Sequence, residues 1–487
     1  MSRFQNILLV LILLLGVGLR SVEVLNRNFL FGYDQGRDYL AVKDIVDNRN
    51  PTLIGPEVGA GYAGLSGIFH GPYYYYSLVL PYLVLAGDPY GGLLLMFLFG
   101  TASLFLCYFF IREIFGVKEA LAGTFLVALC PALTAQSRFI WNSHPTTFFV
   151  LLALWFTARI PKNPFRYFFL AAFTAGLIYG FELAISVPLL LAQFVYVLMS
   201  TETRKLKVLL GGVLGVLIAH LPFFLFEIRH GFMALKGIFS VFAKPALDGG
   251  KTVNIGVVFR EHLGDFWSNF QNTFSLPWWA GIVLLATMTY SAFIIKKQPP
   301  ILRFLLLLAP VSFFIFLLIN NTVWDYYLIH LHLAYIILFS YYLINTQKIP
   351  GAILAIMFLV IMTGMVREMK RAVYDYSDYG GVAKIAGKID ALNYIYEDAQ
   401  NKPFNVLVFT PPVHDYAYRY LLAWYGQKKY GFTPSYQKQG LFYLWIEPEG
   451  SGIWHKGWLE TVVKDGEILK EEVLPNGFII QKRYAEI

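Results

Sequence analysis

Charge is scarce in this chain. Only 14% of its 487 residues are Asp, Glu, Lys or Arg, against about 25% in an ordinary soluble domain. A soluble globular enzyme and a disordered hub are both excluded. Cysteine is nearly absent: Cys107 and Cys130 are the only two, and both lie inside apolar runs. Neither a disulfide framework nor a Cys-based zinc site can be built from them. No internal repeat and no low-complexity stretch is visible. The glycines Gly55, Gly59, Gly61, Gly64, Gly67 and Gly71 resemble a phosphate-cradling loop, but no Gly-Lys-Ser/Thr follows them and no strand precedes them, so a nucleotide P-loop is excluded. That stretch reads instead as mobile cover over a site.

What the chain does have is apolar sequence, 57% of it, in runs of about twenty residues, the length of helix that crosses a bilayer core. Eleven segments qualify, near 5–22, 91–111, 120–137, 145–159, 167–181, 183–200, 208–227, 277–295, 302–319, 328–345 and 350–366. The fifth and sixth form one run, divided at Gly180-Phe181-Glu182. Alternate connections carry Arg3, Arg112, Lys118, Arg159 to Arg166, Arg204 to Lys207, Lys296 to Arg303 and Lys348, opposed by only Glu113, Glu119 and Glu202. The excess of Lys and Arg predicts that this side, with the N-terminus, is cytoplasmic. The first run lacks a small-residue cleavage site and reads as an anchor.

The expected organisation is a polytopic α-helical membrane module over 1–366 and a C-terminal extracytoplasmic α/β domain over 367–487. Two long outer loops, 23–90 and 228–276, belong to the module. The net charge agrees with that division, because residues 1–366 hold 24 Lys+Arg against 16 Asp+Glu and the tail holds 15 of each. The basic excess therefore belongs to membrane topology, and nucleic acid is not expected as a partner. In the tail, Asn405–Thr410 and Leu441–Ile446 read as strands. A helix-like stretch, Tyr416–Tyr425, follows Pro411-Pro412, and Glu467–Tyr484 reads as a hairpin turning at Pro475-Asn476-Gly477. Asp415 and His414 read as a helix cap and its neighbour.

Candidate chemistry gathers on the outer side. Gly32-Tyr-Asp-Gln-Gly-Arg-Asp-Tyr39 opens a helix in the first outer loop. Asp34 at or before its start reads as an N-cap or as a carboxylate aimed into a cleft, and the two do not exclude each other. Further candidates are Arg37, Asp38, His70, Arg138, Asn142, Glu182, Arg229 and His330, all near outer helix ends. Ionisable groups at such depths are costly and mark function or pairing. His330 and His332 are two residues apart and point to different helix faces, so a shared metal is not expected. Tyr73 to Tyr76 suit a membrane–water interface. Cations at this level fit a lipid phosphate, and a carboxylate beside them fits removal of a hydroxyl proton.

These residues resemble the C-type (GT-C) membrane glycosyltransferases that use polyprenyl-phosphate sugars. The nearest branch is family 39, which includes protein O-mannosyltransferases and lipid A aminoarabinose transferases. The motif carrying the resemblance is Tyr33-Asp-Gln-Gly-Arg-Asp38, followed by an amphipathic helix and His70-Gly-Pro72. The resemblance implies that Asp34 is the catalytic base and that His70 lies near the donor phosphate. Arg37, Arg138, Arg229 and His330 are the expected company of His70, and Tyr33, Tyr74 and Asn142 the expected pocket. Many members have Asp-Glu where this chain has Asp34-Gln35, and an Asp where it has Asn142. No metal or other cofactor is therefore expected, and either Asp38 or Glu182 is the second acid.

The implied reaction is inverting sugar transfer from a polyprenyl-phosphate donor to a lipid, glycan or protein hydroxyl, at the outer face of the plasma membrane in building the cell envelope. A transporter or lipid flippase is the main competitor, but such proteins place sites at mid-bilayer between repeated halves. A polymerase or ligase acting on a lipid-diphosphate glycan is the other.

Overall fold

The computed structural model describes residues 2–61, 67–199, 205–237, 247–248, 251–252, 255–318, 323–346, 351–377, 381–400, 402–411, 414–464 and 466–486. Gly64, Glu202, Arg204, Lys348 and Pro412, all used above, lie outside these residues. Every one of the eleven apolar segments is occupied by helix, beginning with Arg3–Arg20 and Tyr90–Ile114 and ending with Ile329–Asn345 and Gly351–Ser377.

Length is a stricter test than occupancy. Among the described residues, four helices are long and apolar enough to cross a membrane, or six if each of two bent pairs is one span. Proline explains one shortfall. The expected segment 120–137 breaks at Cys130-Pro131 into Val117–Leu129 and Pro131–Ala135, because a proline opens a new helix where it cannot continue an old one. The run from 167 to 200 does divide near Gly180. Helix Pro164–Leu177 passes through the turn Ile178–Gly180, and Glu182 then caps Leu183–Leu198 by accepting the Ala184 N–H at 3.2 Å. Helices Pro164–Leu177 and Lys205–Ala219 pack closely through glycine, since a Cβ on Gly215 would lie 2.5 Å from the Phe169 carbonyl oxygen.

The stretch 228–276 also holds a helix that the sequence reading missed. It runs Ile255–Phe274 and meets Trp278–Ile294 at a bend of 87°. The tyrosine run divides, with Tyr76 40% exposed and its neighbours turned inward. Tyr74 and Tyr75 are buried, and the Tyr73 hydroxyl donates to the Ala219 carbonyl at 2.6 Å.

The tail holds helix Ile385–Ala399 and a four-stranded sheet. Strand Asn405–Phe409 lies parallel to Gly440–Ile446, which is antiparallel to Ile479–Ala485, which in turn pairs with Glu467–Val473 at the edge. The core of this sheet is continuous with the first outer loop. Phe29, Phe31, Tyr39 and Leu78 share one buried cluster with Leu392, Tyr420 and Trp445. Backbone hydrogen bonds from Phe31 to Ala383 and from Ile385 to Phe29 join the two regions.

Candidate active site

The site grows from the helix Tyr33–Asp47. Its first residue is preceded by Gly32, whose N–H is taken by Gln35 Oε1 at 2.8 Å. Gln35 therefore does the capping, and Asp34, one residue into the helix, is released from it. A carboxylate in the first turn still gains from the helix dipole. Its oxygen Oδ1 lies 2.9 Å from Arg37 Nη1, and 37% of its side chain is exposed. Arg37 reaches on to Asp38 Oδ1 with Nε and Nη2 at 2.9 and 2.8 Å.

Asp38 is fully buried. Burial raises its carboxyl to about 6, against the pull of Arg37. Tyr74 is buried beside it. Glu182, in the turn between the two apolar helices, is 2% exposed, and burial raises it to about 8. At neutral pH it is mainly the protonated acid.

His70 sits on the same turn. The loop before it forms a paired base, with Gly55 N–H on the His70 carbonyl and His70 N–H on the Pro56 carbonyl at 2.7 and 2.9 Å. The imidazole Nδ1 accepts the Leu183 N–H at 3.2 Å, which places the proton on Nε2. Burial, with Arg37 nearby, lowers the ring to about 3. Burial thus favours the neutral ring, set beside the Tyr179 carbonyl, over the cation expected from the sequence.

Two further expectations change in character. Asn142 Nδ2 donates to the Phe181 carbonyl and Gln35 Nε2 to the Ile140 carbonyl, both at 2.6 Å. The amides that stand in place of family carboxylates are ties to the backbone next to Glu182 and the helix start. Arg138 is 1% exposed and gives Nε and Nη2 to the two oxygens of Glu23 at 2.6 and 2.7 Å. Those donors are committed to a buried ion pair.

Arg229 is exposed at the end of helix Leu221–Arg229. His330 is buried, with Nε2 on Ser312 at 2.7 Å, and ties two helices together. Among the described residues, neither makes a hydrogen bond or ion pair with the Asp34 cluster. His332 does face another way, with Nδ1 2.7 Å from Thr273 Oγ1.

Tyr326, which the sequence reading passed over, stands next to the cluster. The Tyr326 phenol lies within electrostatic reach of both Glu182 and Asp34, and its ring packs on Trp141 at 4.5 Å. The short turn carrying it is pinned by Asp325, which accepts the Asn269 amide at 2.8 Å. The aromatic run Trp324-Asp-Tyr-Tyr327 was the available signal. Asp325 also lines a groove of about 780 Å³. Its walls are apolar at Leu276, Leu359 and Val360 and charged at Arg367, Glu368 and Arg371. Among the described residues, no three His, Cys, Asp or Glu side chains gather as a metal site.

Residues 70–226 match the family of dolichyl-phosphate-mannose-protein mannosyltransferases. By structure, the chain is similar to ArnT from Cupriavidus metallidurans bound to undecaprenyl phosphate, with a TM-score of 0.60 over 98% of this chain and 97% of that one, at 11% identity. The fold is ArnT-like. The apo form of that protein matches with a TM-score of 0.59 at 12% identity, over 98% and 97% of the two chains. The apo oligosaccharyltransferase of Archaeoglobus fulgidus is 17% identical with a TM-score of 0.50, covering 82% of this chain and 59% of that one. No curated protein matches by sequence. The chain thus resembles the GT-C glycosyltransferases, and the ArnT-like fold with the family match supports a lipid-linked glycosyltransferase in a multi-pass membrane setting.

Proposed function

We propose that the protein moves a sugar from a polyprenyl-phosphate donor to an acceptor hydroxyl at the outer membrane face, with Asp34 as the base. The acceptor oxygen attacks the anomeric carbon and gives its proton to Asp34. The carbon–oxygen bond to phosphate breaks, and polyprenyl phosphate leaves with the electron pair. A single displacement inverts the anomeric configuration. The observation that carries this reading is the inequality among three carboxyls: Asp34 is open to solvent, while Asp38 and Glu182 are buried and raised towards neutral pH.

In that arrangement Arg37 orients Asp34, and Glu182 and His70 offer hydrogen-bond donors to the leaving phosphate. The groove beside Asp325 supports a lipid donor, since its apolar walls suit an isoprenoid chain and its charged rim a head group. Gln35 and Asn142 favour a mechanism without a metal, because amides engaged with backbone carbonyls are poor replacements for ligating carboxylates.

The test is release of polyprenyl phosphate by purified protein in lipid, given a panel of polyprenyl-monophosphate sugars and acceptors. Asp34→Asn should keep the melting temperature and donor binding while transfer falls by about 10²–10⁴-fold, the usual share of a general base. Near-normal turnover in that variant would remove Asp34 from the mechanism.

A further inference from the structure

The same helix start has a second side. Between it and the C-terminal domain lies a cavity of about 290 Å³, lined by Tyr33, Gln35, Lys388, His414, Tyr418 and Glu447 among others. It forms because the two regions approach at backbone distance. Gly36 lies against helix Tyr416–Leu421, where a Cβ would stand 2.2 Å from the Ala417 nitrogen. Tyr420 donates to the Gly87 carbonyl and Trp424 to the Ala86 carbonyl, which fixes the domain on the first outer loop.

The polar groups of this cavity are incompletely used. Lys388 is 2% exposed, and its ammonium donates to the Val382 carbonyl. That is one bond for a group with three donors, beside cation–π contacts with Tyr418 at 5.3 Å and Phe478 at 5.9 Å. The hydroxyls of Thr410 and Tyr418 both donate to the same oxygen of Glu447, Oε2, at 2.7 and 2.6 Å. Among the described residues, Oε1 of Glu447 accepts no hydrogen bond. Burial lowers the Lys388 ammonium to about 8, with Glu447 working against that. A buried cation with idle donors is costly, and an arriving hydroxyl group relieves that cost. The walls are aromatic, with Tyr33 packed on His414 and Tyr416 at 5.7 and 5.3 Å.

We propose that this cavity is an acceptor subsite for a sugar ring, whose hydroxyls take Lys388 Nζ and Glu447 Oε1 and whose C–H face lies on Tyr33 and His414. Rings, a carboxylate and an amine converging at close range recognise a polyhydroxylated ring better than a flexible peptide. The position agrees, because the cavity is roofed by the C-terminal domain while the lipid groove opens between apolar helices. Tyr33 and Gln35 flank Asp34 in the chain, so the cavity shares the helix start that carries the proposed base, although Asp34 itself does not line it. The acceptor role, though not the binding itself, rests on the glycosyl-transfer reading.

Two measurements on the full chain in lipid nanodiscs test it. Saturation-transfer NMR with methyl glycosides of mannose, galactose and N-acetylglucosamine should detect binding to the wild type. Glu447→Gln and Lys388→Met should each weaken it by about tenfold or more, the scale of one hydrogen bond to a charged group. His414→Ala, at an exposed position, is the variant least exposed to folding loss and should also weaken binding. Glycosides that bind all three variants as well as wild type, or that do not bind at all, would overturn the subsite, as would selective binding of a Ser/Thr peptide. The second measurement is acceptor-free release of polyprenyl phosphate, which the three variants should leave unchanged. Asp34-dependent release without glycoside binding would sink the subsite alone. Glu447-dependent binding with transfer indifferent to Asp34 would instead sink the catalytic reading.

Discussion

Two of the arginine–carboxylate clusters near the ends of the apolar helices, Arg138 with Glu23 and Arg37 with Asp34 and Asp38, are built to opposite ends. Arg138 and Glu23 are 1% and 0% exposed, meet through two short hydrogen bonds and carry one charge each. Arg37 faces two carboxylates, one open to solvent and one buried. The first cluster is a buried one-to-one pair in which both carboxylate oxygens are engaged by the guanidinium. The second has one negative charge more than its arginine can match, together with a carboxylate that solvent can reach. Sequence position alone made both look like phosphate sites; what separates them is whether the pairing is finished.

The comparison is sharpest where it is broken. Arg138→Met strands Glu23 in a dry interior, and losing one member of a buried pair costs about 3–5 kcal/mol. The expected result is a large fall in melting temperature and in folded yield. Replacing both partners, as Arg138→Met with Glu23→Leu, should recover most of that loss. If Arg138→Met instead melts like wild type and specifically loses affinity for the donor lipid, then Arg138 is a phosphate ligand and the two clusters are alike.

A smaller effect is expected at Gly36, where side chain would meet backbone. Gly36→Val should cost about 1–3 kcal/mol as an overpacked contact. It should loosen the C-terminal domain, read as faster proteolytic release of the tail, and should weaken glycoside binding more than donor binding. Equal losses of both would mean that the helix start itself had moved, and that the two sides of it are not separable.

How much of this was legible in the chain follows from what each feature depends on. Apolar runs and the division at Gly180-Phe181-Glu182 are local, and helix occupies all of them. The tail strands and the turn at Pro475-Asn476-Gly477 are likewise local, and they stand within a residue or two of expectation. Asp34 was legible as a residue but not as a free one, because its release depends on Gln35 taking the Gly32 N–H. Glu23 was invisible as the partner of Arg138, since the pair is separated by over a hundred residues of chain. The same holds for Lys388 and Glu447, which become neighbours of Tyr33 only once the tail docks. Asp415 shows the limit of local reasoning: it stands at the N-cap position of Tyr416–Leu421, yet its oxygen takes Arg419 Nε at 2.6 Å instead of capping.

The subtlest difference between the clusters is titration, and Glu182 reports it. Burial raises its carboxyl from the ordinary 4.5 to about 8. In the unfolded chain the group ionises near 4.5, while in the folded protein it keeps its proton up to about 8. Across that window the folded state binds more protons, so stability falls as pH rises. The contribution is intact below about 4.5 and gone above about 8. Wild-type melting temperature should therefore decline between those limits, and Glu182→Gln should flatten the decline while matching wild type at the acid end. Transfer should follow the same acid: if protonated Glu182 donates to the leaving phosphate, wild-type turnover falls above about pH 8, and Glu182→Gln, which keeps an N–H donor, holds its lower rate across that limit. A variant whose melting curve and rate keep the wild-type pH profile would assign the slope to Asp38, the other raised carboxyl of the cluster.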